Sequence, residues 1–170
     1  MNKNEIVKEL KSTITEFQQL ISSFDEQQLN AVPFEGSWTP AQVARHICKA
    51  NSGFAEALNG PVQDTDRAPD QSVKTIERIM LDFTTKMNAP AFILPEMKAY
   101  NKERLINTLE DIKVDVSKAV TDLDLTQTCL SFELPGLGQV TRLEAVYFMI
   151  YHTQRHAHQL KNIKNKHAVN

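Results

Sequence analysis

The segment Tyr147–Leu160 reads YFMIYHTQRHAHQL, and its spacing predicts the middle of a helix. His152 and His156 are four residues apart, so they lie one turn apart on the same helical face. An apolar row that steps by three and four residues shares this face, namely Met149, Leu160 and Ile163. In a helix bundle such a row points into the core. The sequence therefore places two histidines at inward-facing positions.

Two imidazoles at core positions are costly unless each finds a partner. A metal ion bound by both would satisfy them together, and His-x-x-x-His on a helix is a known way to hold one. The alternative is a pair of core histidines that are hydrogen-bonded to neighbouring groups. The spacing by itself allows both interpretations, and the inward placement favours the metal.

The composition narrows the class of protein. A chain of 170 residues is expected to form a single domain, 1–170, with a sizeable core. The formal charge of −2, from 19 basic and 21 acidic residues, does not call for a nucleic-acid or membrane-surface partner. Cys48 and Cys129 form no CxxC motif, which fits a reducing cytoplasm. The start of the chain lacks the apolar run of a signal peptide, and no stretch approaches the roughly 18 apolar residues of a membrane span. A cytoplasmic protein is expected.

Apolar residues recur at helical intervals in four long segments, which we predict as helices over about 3–29, 40–58, 96–122 and 141–165. A shorter helix is predicted over about 73–87. Thr39 with Gln42, and Thr141 with Glu144, have the capping-box spacing that starts a helix. Residues 129–134 alternate in polarity and could form a short extended segment. The little strand signal favours a helix bundle, and the long passage between the second and third bundle helices leaves room for a crossover.

The segment Gly36–Ile47, GSWTPAQVARHI, resembles the start of the second helix in DinB/YfiT-like proteins. The segment Glu144–Ile163, with its H-x-x-R-H-x-x-Q pattern, resembles the last helix of that family, and the turn PGLG at 135–138 is also similar. The resemblance spans nearly the whole chain. It implies an all-α fold, an antiparallel four-helix bundle with a long crossover that carries the short extra helix.

The resemblance also implies a divalent metal, zinc or nickel, held by His46, His152 and His156. The position of His46 is compatible with this role, because it lies beside the buried stripe of its helix and could point into the bundle. Three neutral imidazoles suit zinc, nickel or copper better than calcium or magnesium, which prefer oxygen ligands. Three protein ligands leave at least one coordination position open, as in catalytic metal sites.

Some members of the family are thiol S-transferases that use a low-molecular-weight thiol such as bacillithiol, and others have been described as metal-dependent hydrolases. The resemblance thus leads us to expect a metal-dependent enzyme that transfers a bacillithiol-like thiol to an electrophilic small molecule. One alternative is a hydrolase that uses a metal-bound hydroxide. Another is a non-catalytic protein that binds a metal or a small ligand. The resemblance further implies a homodimer, although the charged face of the third bundle helix argues against a contact there.

Several residues near the histidines have simpler interpretations. Gln159 could support a metal ligand, because ligating histidines usually donate their second N–H to a partner, but we prefer the simpler interpretation of an ordinary polar contact. We expect Trp38 to anchor the core, Cys48 to be a small buried filler and His158 to lie on the surface. Spacing assigns no carboxylate partner to the three histidines.

Overall fold

Four long helices pack side by side in the computed structural model, which describes the backbone of residues 2–169 and the side chains of residues 2–166. These helices are α1 (Lys3–Ser22), α3 (Pro40–Asn51), α6 (Lys102–Asp122) and α7 (Arg142–Val169). The shorter helices are α2 (Glu26–Asn30), α4 (Phe54–Asn59) and α5 (Val73–Met80), and one 3-10 turn spans Ala91–Ile93. The strands are β1 (Val62–Gln63), β2 (Thr128–Leu134) and β3 (Gly138–Thr141).

The bundle core lies between the apolar stripes of the four long helices. Helices α1 and α3 each pack against both α6 and α7, which places α1 diagonally across from α3. The stripes predicted from the sequence supply fully buried side chains, among them Leu10, Phe17, Ile47, Leu109 and Met149. Helix α7 continues to Val169, beyond the predicted end near residue 165, while the side chains of 167–170 lie outside the described residues.

The expectation of an all-α fold is wrong in one respect, because the chain also forms a three-stranded antiparallel sheet in the order β1-β2-β3. Strands β2 and β3 form a hairpin in which Gly136 of the turn and Gly138, the first residue of β3, have φ of +80° and +70°, a region that glycine adopts without strain. The register shifts between the pairs Thr128–Thr141 and Glu133–Gln139, so β2 carries extra residues. The alternating segment 129–134 is the central strand.

The predicted first and second helices are each interrupted. A capping box between Asp25 and Gln28 starts α2 afresh, so the helix predicted over 3–29 divides after Ser22. The helix predicted over 40–58 divides at Ser52 and Gly53, where α3 ends and α4 begins. Glycine at this junction lowers the cost of leaving the helix.

The crossover contains less helix than predicted. Helix α5 ends at Met80, and the Asp82 carboxylate then accepts hydrogen bonds from the hydroxyls of Thr84 and Thr85 at 2.6 and 2.7 Å. Local bonds of this kind compete with helix continuation. Helix α6 begins at Lys102 rather than near 96, because the Asn101 side chain accepts from the Arg104 N–H and caps it.

Both predicted capping boxes are confirmed. At the start of α7 the Thr141 N–H donates to Glu144 at 3.0 Å, and the Glu144 N–H donates to the Thr141 hydroxyl at 3.1 Å. The Glu144 carboxylate also receives two hydrogen bonds from Arg67 and one from the Ser72 N–H. Burial raises the pKa of Glu144, but these donors outweigh it and leave that pKa below its usual range. This cluster ties the loop before α5 to the start of α7.

Candidate metal centre

Helices α3 and α7 bring His46, His152 and His156 together. The Nε2 atom of His152 lies 3.2 Å from that of His46 and 3.2 Å from that of His156. One ring nitrogen from each of the three lies within 4.8 Å of the others. The residues that the sequence proposes as ligands therefore meet at one point, with His46 supplied by α3 and the other two by adjacent turns of α7.

Hydrogen bonds at Nδ1 orient two of the three rings. The Nδ1 of His46 lies 3.0 Å from the carbonyl oxygen of Ile93, and the Nδ1 of His156 lies 2.8 Å from the side-chain Oε1 of Gln159. Both oxygens are acceptors, so each Nδ1 carries the proton and donates it. The Nε2 atoms of His46 and His156 are then left with lone pairs directed at His152.

His152 completes the arrangement. Its Nδ1 is buried and has no hydrogen-bond partner among the described residues. A neutral His152 has one N–H, so its Nε2 could donate to only one of the two lone pairs that face it. A cation between the three Nε2 atoms would satisfy all of them, and imidazole suits zinc or nickel. The donor set therefore fits a divalent metal.

The three imidazoles are held neutral. Burial lowers the pKa of His46 despite the opposing effect of the hydrogen bond to Ile93. Burial, followed by the nearby His156 and His46, lowers the pKa of His152 well below its usual value, and burial followed by His46 lowers that of His156 to about 3. A metal needs the neutral form, so protons do not compete with it near pH 7.

Aromatic rings enclose the centre. The Trp38 ring centroid is 5.2 Å from that of His46, and Phe148 stacks on His152 with centroids 5.5 Å apart. Trp38 also packs against the core, as predicted. His46 is only 2% exposed, whereas His152 and His156 are partly exposed. His46 is thus shielded from solvent.

The partners of the ligands are not carboxylates. Gln159, three residues along the helix from His156, accepts the hydrogen bond of its Nδ1, which is the contact that a supporting role requires. Sequence reasoning missed the Ile93 carbonyl, because every residue has a carbonyl and no sequence signal marks this one. The histidine cluster contains no carboxylate among the described residues.

Neighbouring residues have structural roles. Arg155 donates hydrogen bonds to the carbonyl oxygens of Met80, Asp82 and Thr85 and so pins the loop after α5. Cys48 is fully buried and burial raises the pKa of its thiol to about 12, which confirms it as a filler. His158 is partly buried and stacks on Phe83 with centroids 3.9 Å apart, so the expected surface position is only partly right.

Comparisons with known proteins agree with this fold. The family model of the DinB superfamily matches residues 9–160, a range that includes all three histidines, and the chain belongs to this superfamily. It is 21% identical over 150 residues to "Uncharacterized protein YuaE" of Bacillus subtilis (strain 168), covering 86% of this chain and 89% of that protein.

A solved structure resembles the chain over most of its length. It is described as "YfiT from Bacillus subtilis is a probable metal-dependent hydrolase with an unusual four-helix bundle topology". The TM-score is 0.65 at 13% sequence identity, and the match covers 98% of this chain and 87% of that one. At this identity the likeness shows a common fold. Within the part of the chain that the structure describes, no helix is long and apolar enough to cross a bilayer.

Proposed function

We propose that this protein binds one divalent metal ion through His46, His152 and His156 and acts as a metal-dependent enzyme. The proposal rests on the convergence of the three Nε2 atoms. In the absence of a cation, at least one of the lone pairs on these atoms has no proton donor. Three protein ligands leave a coordination position open, which is the pattern of catalytic rather than structural sites. When bound, zinc or nickel would supply the Lewis acidity that lowers the pKa of a thiol or water.

The residues around the ligands keep the site organised. Ile93 and Gln159 fix the tautomers of His46 and His156, so that both rings present Nε2. Trp38 and Phe148 cover the imidazole flanks and exclude water from them. A drier surrounding strengthens the electrostatic interactions inside the site.

The first candidate reaction is transfer of a low-molecular-weight, bacillithiol-like thiol to an electrophilic small molecule. The resemblance to DinB/YfiT-like proteins supports it, and the lack of a carboxylate in the described histidine cluster is compatible with it. Activation of a thiol by a metal needs no carboxylate base, because a coordinating thiol is deprotonated outright. The thiol sulfur would bond to the electrophilic carbon, the leaving group would depart with its electron pair, and the thiol proton would pass to solvent.

Hydrolysis is the second candidate, and the description of YfiT as a probable metal-dependent hydrolase favours it. In that reaction water, rather than a thiol, would be the nucleophile. The experiment that separates the two uses untagged protein, analysed for metals and then loaded with zinc or nickel. It is assayed with thiols plus electrophiles, and separately with esters and amides in the absence of thiol.

Thiol-dependent turnover that requires the metal and is lost in His152→Ala would support the first candidate. Metal-dependent turnover without thiol would support the second. A metal-loaded protein that turns over neither panel would contradict both and favour a binding protein. Failure to retain any divalent metal would overturn the proposed site.

We also propose a homodimer, on the family resemblance. The exposed face of α1 is the better surface for the contact, because α6 carries charged residues such as Glu103, Asp111, Asp115 and Lys118 along its outer side. Light scattering at micromolar concentration tests this. A mass near the 19.3 kDa of one chain would reject the dimer.

A further inference from the structure

Residues 91–96 of the crossover, which we call the strap, lie across α3 beside His46. The Ile93 carbonyl accepts the His46 Nδ1–H at 3.0 Å, and the next carbonyl, that of Leu94, accepts from the Lys49 ammonium at 2.7 Å. The strap therefore attaches to the same helix that carries His46. The position of the strap therefore decides whether the Ile93 carbonyl oxygen lies within hydrogen-bond distance of the His46 Nδ1.

Glu96 ends the strap and gathers three donors. Its carboxylate accepts from the Tyr100 hydroxyl at 2.6 Å, from Lys49 at 3.2 Å and from Arg45 at 3.4 Å. Arg45 and Lys49 flank His46 on α3, one residue before it and three after it. Tyr100 and the two cations hold the pKa of the Glu96 carboxyl well below its usual range, so it is ionised near neutral pH.

Tyr100, one of the three donors to Glu96, is itself held in place by hydrogen bonds. The backbone N–H of Tyr100 donates to the side-chain oxygen of Asn30 at 2.8 Å, and the Asn30 amide nitrogen donates to the Tyr100 carbonyl oxygen at 3.1 Å. These two bonds connect Tyr100 to the end of α2. Its hydroxyl also receives the Glu96 N–H at 2.9 Å. Glu96 thus links a fixed residue on one side to the helix of His46 on the other.

Few other interactions hold the strap. Between α5 and α6 the 3-10 turn Ala91–Ile93 is the only regular element, and two large apolar side chains point outward, Phe92 within the turn at 79% exposed and Met97 after it at 90%. Gln42 adds a longer contact of 3.5 Å to the Glu96 carbonyl. Without apolar packing of these side chains, the polar contacts of Glu96 place the strap together with the bond from Lys49 to the Leu94 carbonyl.

We propose that Glu96 is a positioning residue for the metal centre: it anchors the strap, so that the Ile93 carbonyl holds His46 with its Nε2 turned to the metal. This inference rests on the proposed metal site. Glu96 acts through Ile93 and does not contact the ligands. Partners of ligating histidines typically change metal affinity by about 10- to 100-fold when they are lost.

The test compares Glu96→Ala and Glu96→Gln with a matched control, Glu16→Ala. Glu16 pairs with Lys161 of α7 at 2.5 Å, and its side chain is 46% exposed against 44% for Glu96, so both changes remove a similar surface ion pair. Zinc affinity is measured by competition with a chelator. The tautomer of each histidine is measured by ¹⁵N NMR on the metal-free protein.

We expect Glu96→Ala to weaken zinc binding about 10-fold, Glu96→Gln to weaken it less, and Glu16→Ala to leave it unchanged. In the metal-free Glu96→Ala protein His46 should become a mixture of tautomers, whereas His156 should keep its Nδ1 proton, because Gln159 still holds it. Tyr100→Phe, which removes one donor to the carboxylate, should shift His46 in the same direction by less.

Unchanged zinc affinity together with an unchanged His46 tautomer in folded Glu96→Ala would overturn the positioning role. The NMR measurement needs no metal, so it also decides the role if the wild-type protein binds neither zinc nor any other divalent metal, a result that would instead overturn the proposed function. If Glu96→Ala fails to fold, Glu96→Gln and Tyr100→Phe provide the same comparison. A loss of affinity in Glu16→Ala equal to that in Glu96→Ala would also contradict the proposal.

Discussion

The Nε2 atoms of His46 and His152 lie 3.2 Å apart although 106 positions separate the two residues in the chain. The Nδ1 of His46 donates to Ile93, which leaves a lone pair on its Nε2, and the Nε2 of His152 lies equally close to the Nε2 of His156. A single N–H on His152 can satisfy only one of the two lone pairs that face it, so one of them lacks a donor without a cation. The packing of α3 on α7 at this level therefore creates the candidate metal centre.

Replacing any one of the three histidines by alanine should remove most of the bound metal, because two ligands hold an ion poorly. We expect occupancy to fall together in His46→Ala, His152→Ala and His156→Ala, measured by elemental analysis after dialysis. His158→Ala is the control, since its ring stacks on Phe83 and lies outside the cluster. Retention of metal by His46→Ala alone would show that α3 supplies no ligand.

Gln159→Leu should weaken metal binding by about 10- to 100-fold, because His156 would lose the acceptor that fixes its tautomer. Chelator competition measures the effect. Gln154→Leu is a matched control on the same helix, where the side-chain amide bonds to Thr13 instead of a histidine. Equal losses in both variants would mean that the effect comes from the helix and not from the hydrogen bond to His156.

Glu144→Ala should lower the free energy of unfolding by about 3 kcal/mol, the low end for breaking a buried ion pair, because Arg67 keeps some exposure. The change also leaves the N–H groups of Ser72 and Thr141 without their acceptor. Urea denaturation provides the measurement. Glu16→Ala removes an exposed pair and should cost at most about 1 kcal/mol. Similar values for the two variants would contradict the structural role of Glu144.

The metal-free protein should lose stability as the pH falls below about 6.5, the ordinary pKa of histidine. The pKa of His156 is lowered to about 3 in the folded state, so between these values the unfolded chain binds more protons and the free energy of unfolding falls with decreasing pH. His46 and His152 act in the same direction. Each histidine contributes a slope of at most about 1.4 kcal/mol per pH unit.

Urea denaturation at pH 7, 6 and 5 checks this pH dependence, in a range above that in which Glu144 titrates. His156→Gln should have a shallower slope than the wild-type protein. An identical slope in the two proteins would show that His156 is not held neutral in the fold.

The sequence by itself determined those structural features that depend on interactions between residues close together in the chain. Apolar periodicity located the four long helices, and the capping boxes at Thr39 and Thr141 placed two helix starts, because these signals act within a few residues. The four-residue spacing put His152 and His156 on one face of α7. The family resemblance, more than any local pattern, singled out His46.

Only the tertiary structure decided the rest. The three-stranded sheet depends on pairing between distant segments, which periodicity cannot report. The partner of His46 is a backbone carbonyl 47 residues away, and a carbonyl has no residue type by which a sequence could reveal it. Local interactions thus fix which helices form and which faces are apolar, whereas the meeting of α3, α7 and the strap arises from long-range packing alone.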